Sequence, residues 1–304
     1  MLTTLRGARC VITGGAGFVG SHLLEALLSA GAQVISYDRS EKILPDGVTA
    51  VVGDLSDGTK LQETIHGSDV VFHLAALASV QDSIEHPVKY YEVNVGGSMN
   101  VLEAARTSPS KPRVILASSA AVYGDQDIVC THEALMPKPK SPYALSKMQT
   151  EEMAKLWSEL YGVETVSIRP FNIYGSRMNS EGAYASAIGR FLKLTLEGLP
   201  IQLTGDGTQT RDYVHVRDMV SAYIASALSP SVGNGEIINI ASGKSVSIKS
   251  VAELISVNIE YIPARVEIKD SGADITRARE LLTWSPHISL EEGIAELKVE
   301  WGIV

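Results

Sequence analysis

The stretch "VITGGAGFVGSHLLEALL", residues 11–28, places Gly14, Gly17 and Gly20 between a β-branched apolar run and a helical pattern. Glycines at this spacing allow a tight turn and a close approach of backbone to a bound pyrophosphate, which the amino-terminal amides of the following helix attract. The next apolar run, "QVISYD", ends on Asp38, where a carboxylate can hold the ribose hydroxyls of an adenosine. Asp38 would repel a 2′-phosphate, which favours NAD over NADP; Arg39 beside it either softens that preference or is merely solvated. Glycines alone often mark only a turn. Here strand, helix and acid agree on a dinucleotide site.

Working outward, "RCVITG", "QVISYD", "VTAVVGD", "DVVFHLAA", "RVILASS" and "ETVSIRP" alternate with helical patterns through the first half. That alternation predicts an α/β fold with a parallel sheet covered on both faces, the Rossmann-type doubly wound arrangement. Gly31 after "LLEALLSA" is the expected helix stop. Beyond Pro170 the pattern loosens: residues 175–210 read as loop, helix and loop, "DYVHV" and "EIINIA" as strands, and "SLEEGIAELKVEW" as a terminal helix opened by a Ser cap with Glu three residues on. "GDQDIVCTHEALMPKPKSP", residues 124–142, is the least regular segment, and a loop that long in a compact domain is expected to be a functional lid.

Composition narrows the partners. The 304 residues are 45% hydrophobic and 20% charged, and 26 basic against 35 acidic residues give a net charge of -9. This balance disfavours attraction to nucleic acid or anionic lipid. Cys10 and Cys130 are the only cysteines, so neither a disulfide framework nor a thiolate metal site is expected, and no metal is assigned. No apolar run reaches the roughly 18 residues of a membrane span, and structured sequence begins too close to Met1 for a signal peptide, so the expected location is the cytoplasm.

"SPYALSK" puts Tyr143 and Lys147 one helical turn apart on the same face. Lowering a tyrosine pKa by about 3 units takes roughly 4 kcal/mol. One ammonium at ~4 Å in an effective dielectric of ~20 supplies about that much. Lys147, helped by the positive nicotinamide of NAD, is therefore expected to make Tyr143 a working acid/base. Asp54, ending "VVGD", either meets the adenine or serves as a turn or cap aspartate.

"TGGAGFVGSH", "HLAA", "ASSAAVYG", "SPYALSK", "RPFNIYG" and "GDGTQTRDYVHVRD" together resemble the extended short-chain dehydrogenase/reductases, and among them the nucleotide-sugar epimerases and dehydratases. The likeness runs from about residue 8 to the "ADITRARELLTWSP" segment. It implies an NAD-binding domain over residues 1–172, joined by the strand and helix near 212–240, and a smaller α/β substrate-binding domain made mainly of 173–304. Ser119 is implied as the hydroxyl that bonds the sugar 4-OH and passes its proton to Tyr143; otherwise it caps a strand end. Phe18 and Val19 are implied as amide donors to the pyrophosphate, and Leu55, Leu74, Ala75, Ala76, Asn94 and Pro170 as lining the cofactor. Helices around 87–107 and 143–161 resemble those that pair in a homodimer.

"SSAAVYG", residues 118–124, narrows the chemistry. Members that eliminate water carry an acid pair after the catalytic hydroxyl, and those that decarboxylate UDP-glucuronate typically hold a glutamate at the second position. Ala120 and Ala121 can do neither job. The implied reaction is 4-epimerisation of a UDP-hexose, glucose to galactose, through a 4-keto sugar that rotates between small apolar walls, with UDP-N-acetylhexosamine or UDP-glucuronate as alternative substrates. A dehydratase, a reductase or a non-catalytic NAD sensor lies further off.

For the nucleotide, the resemblance implies Arg211 and Arg265 on the diphosphate, Asn172 on phosphate or sugar, and Tyr184 in the covering loop "GAYASAI". Arg211 could instead pair with Asp212 or Asp218, and Asn172 could be a turn residue. "PARVEIKDSGADITRA" departs from the family pattern, leaving Glu267 a poor ribose ligand and Asp274 a helix cap rather than a ligand. Ser271 falls where a bulky tyrosine in relatives excludes N-acetylhexosamines, so its small side chain implies tolerance of them, unless it is simply an exposed loop serine.

Overall fold

A computed structural model describes residues 2–181, 186–264 and 269–303. Its centre is a seven-stranded parallel sheet built from β1 (Arg9–Thr13), β2 (Gln33–Asp38), β3 (Val48–Val52), β4 (Val70–His73), β5 (Arg113–Ala117), β7 (Thr165–Pro170) and β11 (Asn234–Ile240). The spatial order is β3-β2-β1-β4-β5-β7-β11, so the winding direction reverses between β1 and β4. In open α/β sheets the crevice beyond the strand ends at such a reversal is where ligands bind.

Alternate residues of the strands feed two separate cores. Cys10 and Ile12 of β1, Phe72 of β4 and Ile115 of β5 pack with α1 (Phe18–Ser29) and α8 (Val216–Leu228) through Leu23, Leu24, Met219 and Tyr223. Val11, Val71, Val114 and Leu116 face the other way, against α2 (Gly58–Ile65), α5 (Gly97–Thr107) and α6 (Pro142–Tyr161) through Leu61, Ile65, Val101, Leu102 and Ala154. Burial on both faces explains why these strands read as continuous apolar runs.

The helices carry the expected punctuation. Ser141 caps α6 by accepting from Ala144 N–H, Pro142 opens its first turn, and Gly162 closes it at φ 65. Gly31 follows α1 at φ 80, and Ser289 with Glu292 forms a complete capping box at the start of α11 (Leu290–Glu300). The helical stretch over 87–107 is less regular than its sequence implies. After α3 (Val80–Glu85) it runs through α4 (Pro87–Tyr90), a π-helical turn over Tyr91–Gly96, and then α5.

A smaller lobe gathers around a third core of Ile188, Phe191, Ile201, Leu203, Val251, Ile255, Ile294 and Leu297. Here β8 (Asn172–Tyr174) runs parallel to β10 (Thr210–His215), which pairs antiparallel with β12 (Ser245–Ser247). Beside them lie the parallel pair β9 (Ile201–Thr204) and β13 (Ile259–Ile262), with α7 (Ala187–Leu196), α9 (Ile248–Ile255), α10 (Thr276–Leu282) and α11. The region over 175–210, expected to be loop, helix and loop, thus carries a strand after its helix. Four residues give its alternation too little length to stand out. The 124–142 segment is tied down midway: β6 (Cys130–Thr131) pairs with β14 (Gly272–Ala273).

Candidate active site

At the reversal a cavity of about 200 Å³ is lined by Gly14, Gly17, Asp38, Arg39, Asp54, Leu55, Leu74, Ala75, Ala76 and Leu77, with Tyr37, Gly53 and Val93. Gly14 adopts φ 77, and a Cβ there would stand 2.7 Å from Ala75 N. A Cβ on Gly20 would run into Gly14 O, so α1 can lie this close to the turn only without one. Gly17 caps α1 in extended conformation, placing Phe18 and Val19 in the first turn. Phe18 also packs against the smaller lobe's core, and Val19 against the main one. Asp38 Oδ2 accepts from Ala16 N–H at 3.1 Å and Oδ1 from Ser40 N–H at 2.9 Å, which fixes the carboxylate at the cavity wall. Asp54 takes both readings at once: it lines the cavity, and its Oδ1 accepts from Ser56 N–H at 2.9 Å and Ser56 Oγ–H at 2.8 Å, bonds that hold its carboxyl below the usual range. The glycine cradle and the fixed acid fit an NAD adenosine and pyrophosphate.

Asn94 occupies the π-helical turn and is bonded inward: its Oδ1 accepts from Leu77 N–H at 2.8 Å, and its Nδ2 donates to Leu77 O and Ser146 Oγ, both at 3.0 Å. It braces the loop that forms the cavity wall. His73, inside "HLAA" but given no task by the sequence, does the same for the glycine turn. Its Nδ1 bonds Thr13 Oγ1 at 2.7 Å and its Nε2 bonds Ser98 Oγ at 2.9 Å. Burial, with the nearby Lys147 charge, pulls His73 down to about 3, so the ring is neutral.

The carboxyl ends of β5 and β7 and the first turns of α6 bring the reacting groups together. Ser119 caps the 3-10 turn Ala120–Tyr123, its Oγ accepting from Ala121 N–H at 3.2 Å, and its hydroxyl lies near enough to the Tyr143 phenol to draw its pKa down. It is therefore both cap and candidate proton carrier. The Tyr143 ring packs with Leu77 and Tyr90, and Ala121 lies against that cluster. Lys147, also buried, donates from Nζ to Ala117 O at 2.7 Å. Pro170 ends β7.

Burial pushes the Tyr143 phenol up, and Ser119 offsets this only in part. Burial also pulls Lys147 down to about 8 against the attraction of Glu151. Both shifts have the same first cause, the cost of taking a charged group out of water.

A second cavity, of about 420 Å³, opens in the smaller lobe between Asn172, Arg190, Phe191, Gln202, Thr204, Gln209, Arg211 and Tyr213. Asn172 stands in β8, not a turn, and its Nδ2 donates to Asp212 O at 2.7 Å. Arg211 Nη1 donates to Thr210 O at 2.7 Å. The carboxylates considered as its partners serve backbone amides: Asp212 accepts from Ser242 and Gly243 N–H, and Asp218 from His287 and Ile288 N–H. Arg190 is a second cation here that sequence reading passed over; its position in the first turns of α7, just after "GAYASAI", was the available signal. Ser271 is bound to the same strand through its N–H, which donates to Thr210 O at 3.1 Å, but it does not line this cavity. Tyr184, Arg265 and Glu267 lie outside the described residues. Asp274 is not the expected cap: Ile275 holds that position without a side-chain bond, and Asp274 Oδ1 accepts from Thr276 N–H at 2.8 Å in a local turn just ahead of α10. Among the described residues no cluster of His, Cys, Asp and Glu is placed to hold a metal, and no helix is long and apolar enough to cross a membrane.

Residues 10–241 match the NAD dependent epimerase/dehydratase family. The UDP-glucose 4-epimerase of Mycolicibacterium smegmatis is 34% identical over 95% of this chain and 96% of its own. A UDP-N-acetyl-alpha-D-glucosaminuronate decarboxylase of Bacillus cytotoxicus is 35% identical over 96% of this chain and 97% of its own. In three dimensions, the UDP-N-acetylglucosamine 4-epimerase of Methanobrevibacter ruminantium M1, solved with UDP-N-acetylmuramic acid, superimposes with a TM-score of 0.91 at 34% identity, covering 98% of this chain and 99% of that one. With the glycine cradle, the fixed Asp38 and the Ser119–Tyr143–Lys147 grouping already in place, these matches make the chain a member of the NAD-dependent epimerase/dehydratase family, an NAD-dependent enzyme of the extended short-chain dehydrogenase/reductase fold.

Proposed function

We propose that the enzyme is a UDP-hexose 4-epimerase, interconverting UDP-glucose and UDP-galactose. The observation that carries the proposal is the Ser119 hydroxyl set beside the Tyr143 phenol at the start of the turn Ala120–Tyr123, which carries two alanines and no acid. Bound NAD supplies a hydride acceptor that later returns the hydride. Ser119 receives the sugar hydroxyl, Tyr143 takes its proton, and Lys147 stabilises the phenolate that forms. Gly14, Gly17 and the amides of Phe18 and Val19 hold the pyrophosphate, and Asp38 holds the ribose. Arg211 and Asn172 anchor the nucleotide in the second cavity while the keto sugar turns against the alanines, and Tyr184 and Arg265 are the further nucleotide contacts that the family resemblance implies.

In this reading residues 1–172 with 212–240 form the cofactor-binding unit, and 173–304 supplies most of the nucleotide grip. The protein works as a homodimer in the cytoplasm. Supporting the pairing, Val88, Tyr91 and Met99 on one helical stretch and Leu145, Leu156 and Leu160 on α6 are exposed. Supporting the location, Cys130 is an exposed free thiol.

Incubating the purified protein with UDP-galactose, UDP-GalNAc and UDP-galacturonate, without added NAD, and separating the products tests the reading. Conversion of the first to UDP-glucose is expected; inertness toward all three, even with NAD supplied, sinks it. Relative rates name the sugar. A second substrate pair, the UDP-N-acetylhexosamines, is favoured by the small Ser271. Ser271→Tyr should suppress that pair alone, and equal loss on both pairs would remove the size gate from consideration.

A further inference from the structure

Behind the reacting groups lies an ion pair that neither the cofactor cavity nor the substrate cavity includes. Glu151 stands one helical turn beyond Lys147 on α6, Arg169 sits just before Pro170 on β7, and each side chain is 1% exposed. Arg169 grips both carboxylate oxygens, Nε on Oε1 at 2.7 Å and Nη2 on Oε2 at 2.6 Å. Ser118 donates its hydroxyl to the same Oε1. The packing continues outward: the Arg169 guanidinium lies 4.6 Å from the Tyr123 ring centre, and Tyr123 donates to Asn239 Oδ1 at 2.7 Å. Asn239 Nδ2 in turn donates to Thr131 O at 3.0 Å, on the tied-down part of the 124–142 segment.

A buried ion pair is a weak source of stability, because desolvating two charges offsets most of their attraction. This one has neighbours that give it other work. Lys147 Nζ is bonded to a neutral carbonyl, and the Glu151 carboxylate one turn along α6 attracts it against the cost of burial, with the neutral His73 ring facing it from β4. Ser118 immediately precedes Ser119, so the bond that fixes Ser118 also fixes where the next hydroxyl emerges from the strand end.

We propose that Glu151 is a positioning residue of the catalytic centre: its carboxylate holds Lys147 in the ammonium form and anchors Ser118, and with it Ser119, while Arg169 locks the carboxylate in place. The proposal rests on the epimerase reading above, in which Lys147 acts as a cation. Removing the carboxylate takes away the attraction that opposes burial, so Lys147 should lose its proton at lower pH.

The test uses Glu151→Gln, the double variant Glu151→Gln/Arg169→Met, which leaves no unpaired buried guanidinium, and Glu151→Asp, which keeps the charge. Each full-length protein, as purified, is labelled with trace acetic anhydride across pH 6–10 and Lys147 is followed by peptide mass spectrometry, alongside the pH profile of kcat. The neutral-charge variants should show the Lys147 labelling half-point, and the alkaline limb of kcat, moved down by about one pH unit, a tenfold larger neutral-amine fraction at fixed pH. Glu151→Asp should restore both to within a few tenths. A folded double variant with the wild-type half-point overturns the proposal, and so does failure of all three variants to fold, which would assign Glu151 to the fold alone. Wild-type protein inert toward every UDP-sugar would count instead against the epimerase reading, with the labelling half-point still measurable.

Discussion

Tyr143 is buried against Leu77 and Tyr90, surroundings that favour its neutral phenol, with Ser119 alone drawing it the other way until a substrate hydroxyl and the cofactor's charge arrive. Tyr143→Phe keeps the packing and removes the proton carrier. Turnover should fall by about 10²–10⁴-fold with NAD content unchanged, as read by progress curves and by nucleotide release on denaturation. His73 gives a stability signature with a definite sign. Its ring titrates near 6.5 when unfolded and at about 3 when buried, so between those values the unfolded chain binds a proton the native one does not. Stability should be fully present above about 6.5 and fall as pH drops through that window, with His215, also held down by burial at about 4, adding to the slope in the same sense. Denaturant titrations of His73→Asn at several pH values should show a shallower fall by about one proton.

Among the elements, the turn from β1 into α1 has the least tolerance. Gly14→Ala would force a side chain into a left-handed backbone at φ 77 and against Ala75 N, so a loss of about 1–3 kcal/mol is expected. Weaker NAD retention should accompany it, measured by melting with and without added cofactor. This turn was also the most legible part of the sequence, because glycine spacing, strand and acid are all local signals. The inner strands of the main sheet were legible for a related reason, since residues buried on both faces make continuous apolar runs, whereas the edge strand β3 is largely exposed and reads by its β-branched residues. Strands β9 and β13 were not, since each has four residues and pairs with a segment far along the chain. The π-helical turn at Tyr91–Gly96 leaves no composition mark, and the bracing role of Asn94 depends on it. Glu151 and Arg169 were unreadable as a pair because their meeting depends on how α6 crosses β7, whereas Tyr143 and Lys147 needed only helical spacing.

At the scale of the whole molecule, the exposed apolar residues of the 87–107 stretch and α6 belong to one face-forming pair of elements, with Val88 68% and Leu160 62% exposed. Burying them against a second copy would make the protein a dimer; Val88→Glu with Leu160→Glu should halve the mass seen by sedimentation, while wild-type protein that is already monomeric would end the proposal. The sheet's edge has a consequence for how the chain comes into being. Strand β7 is covered on its outer side by β11, which arrives only after the whole run through β8, α7, β9, β10 and α8 has been made. During synthesis β7 therefore waits as an open edge, a template for pairing with any other strand. A ribosome stalled in that interval holds a chain whose NAD cradle is complete in sequence but whose sheet is unfinished, and such fragments should be caught by chaperones or aggregate rather than accumulate as soluble cofactor-binding halves.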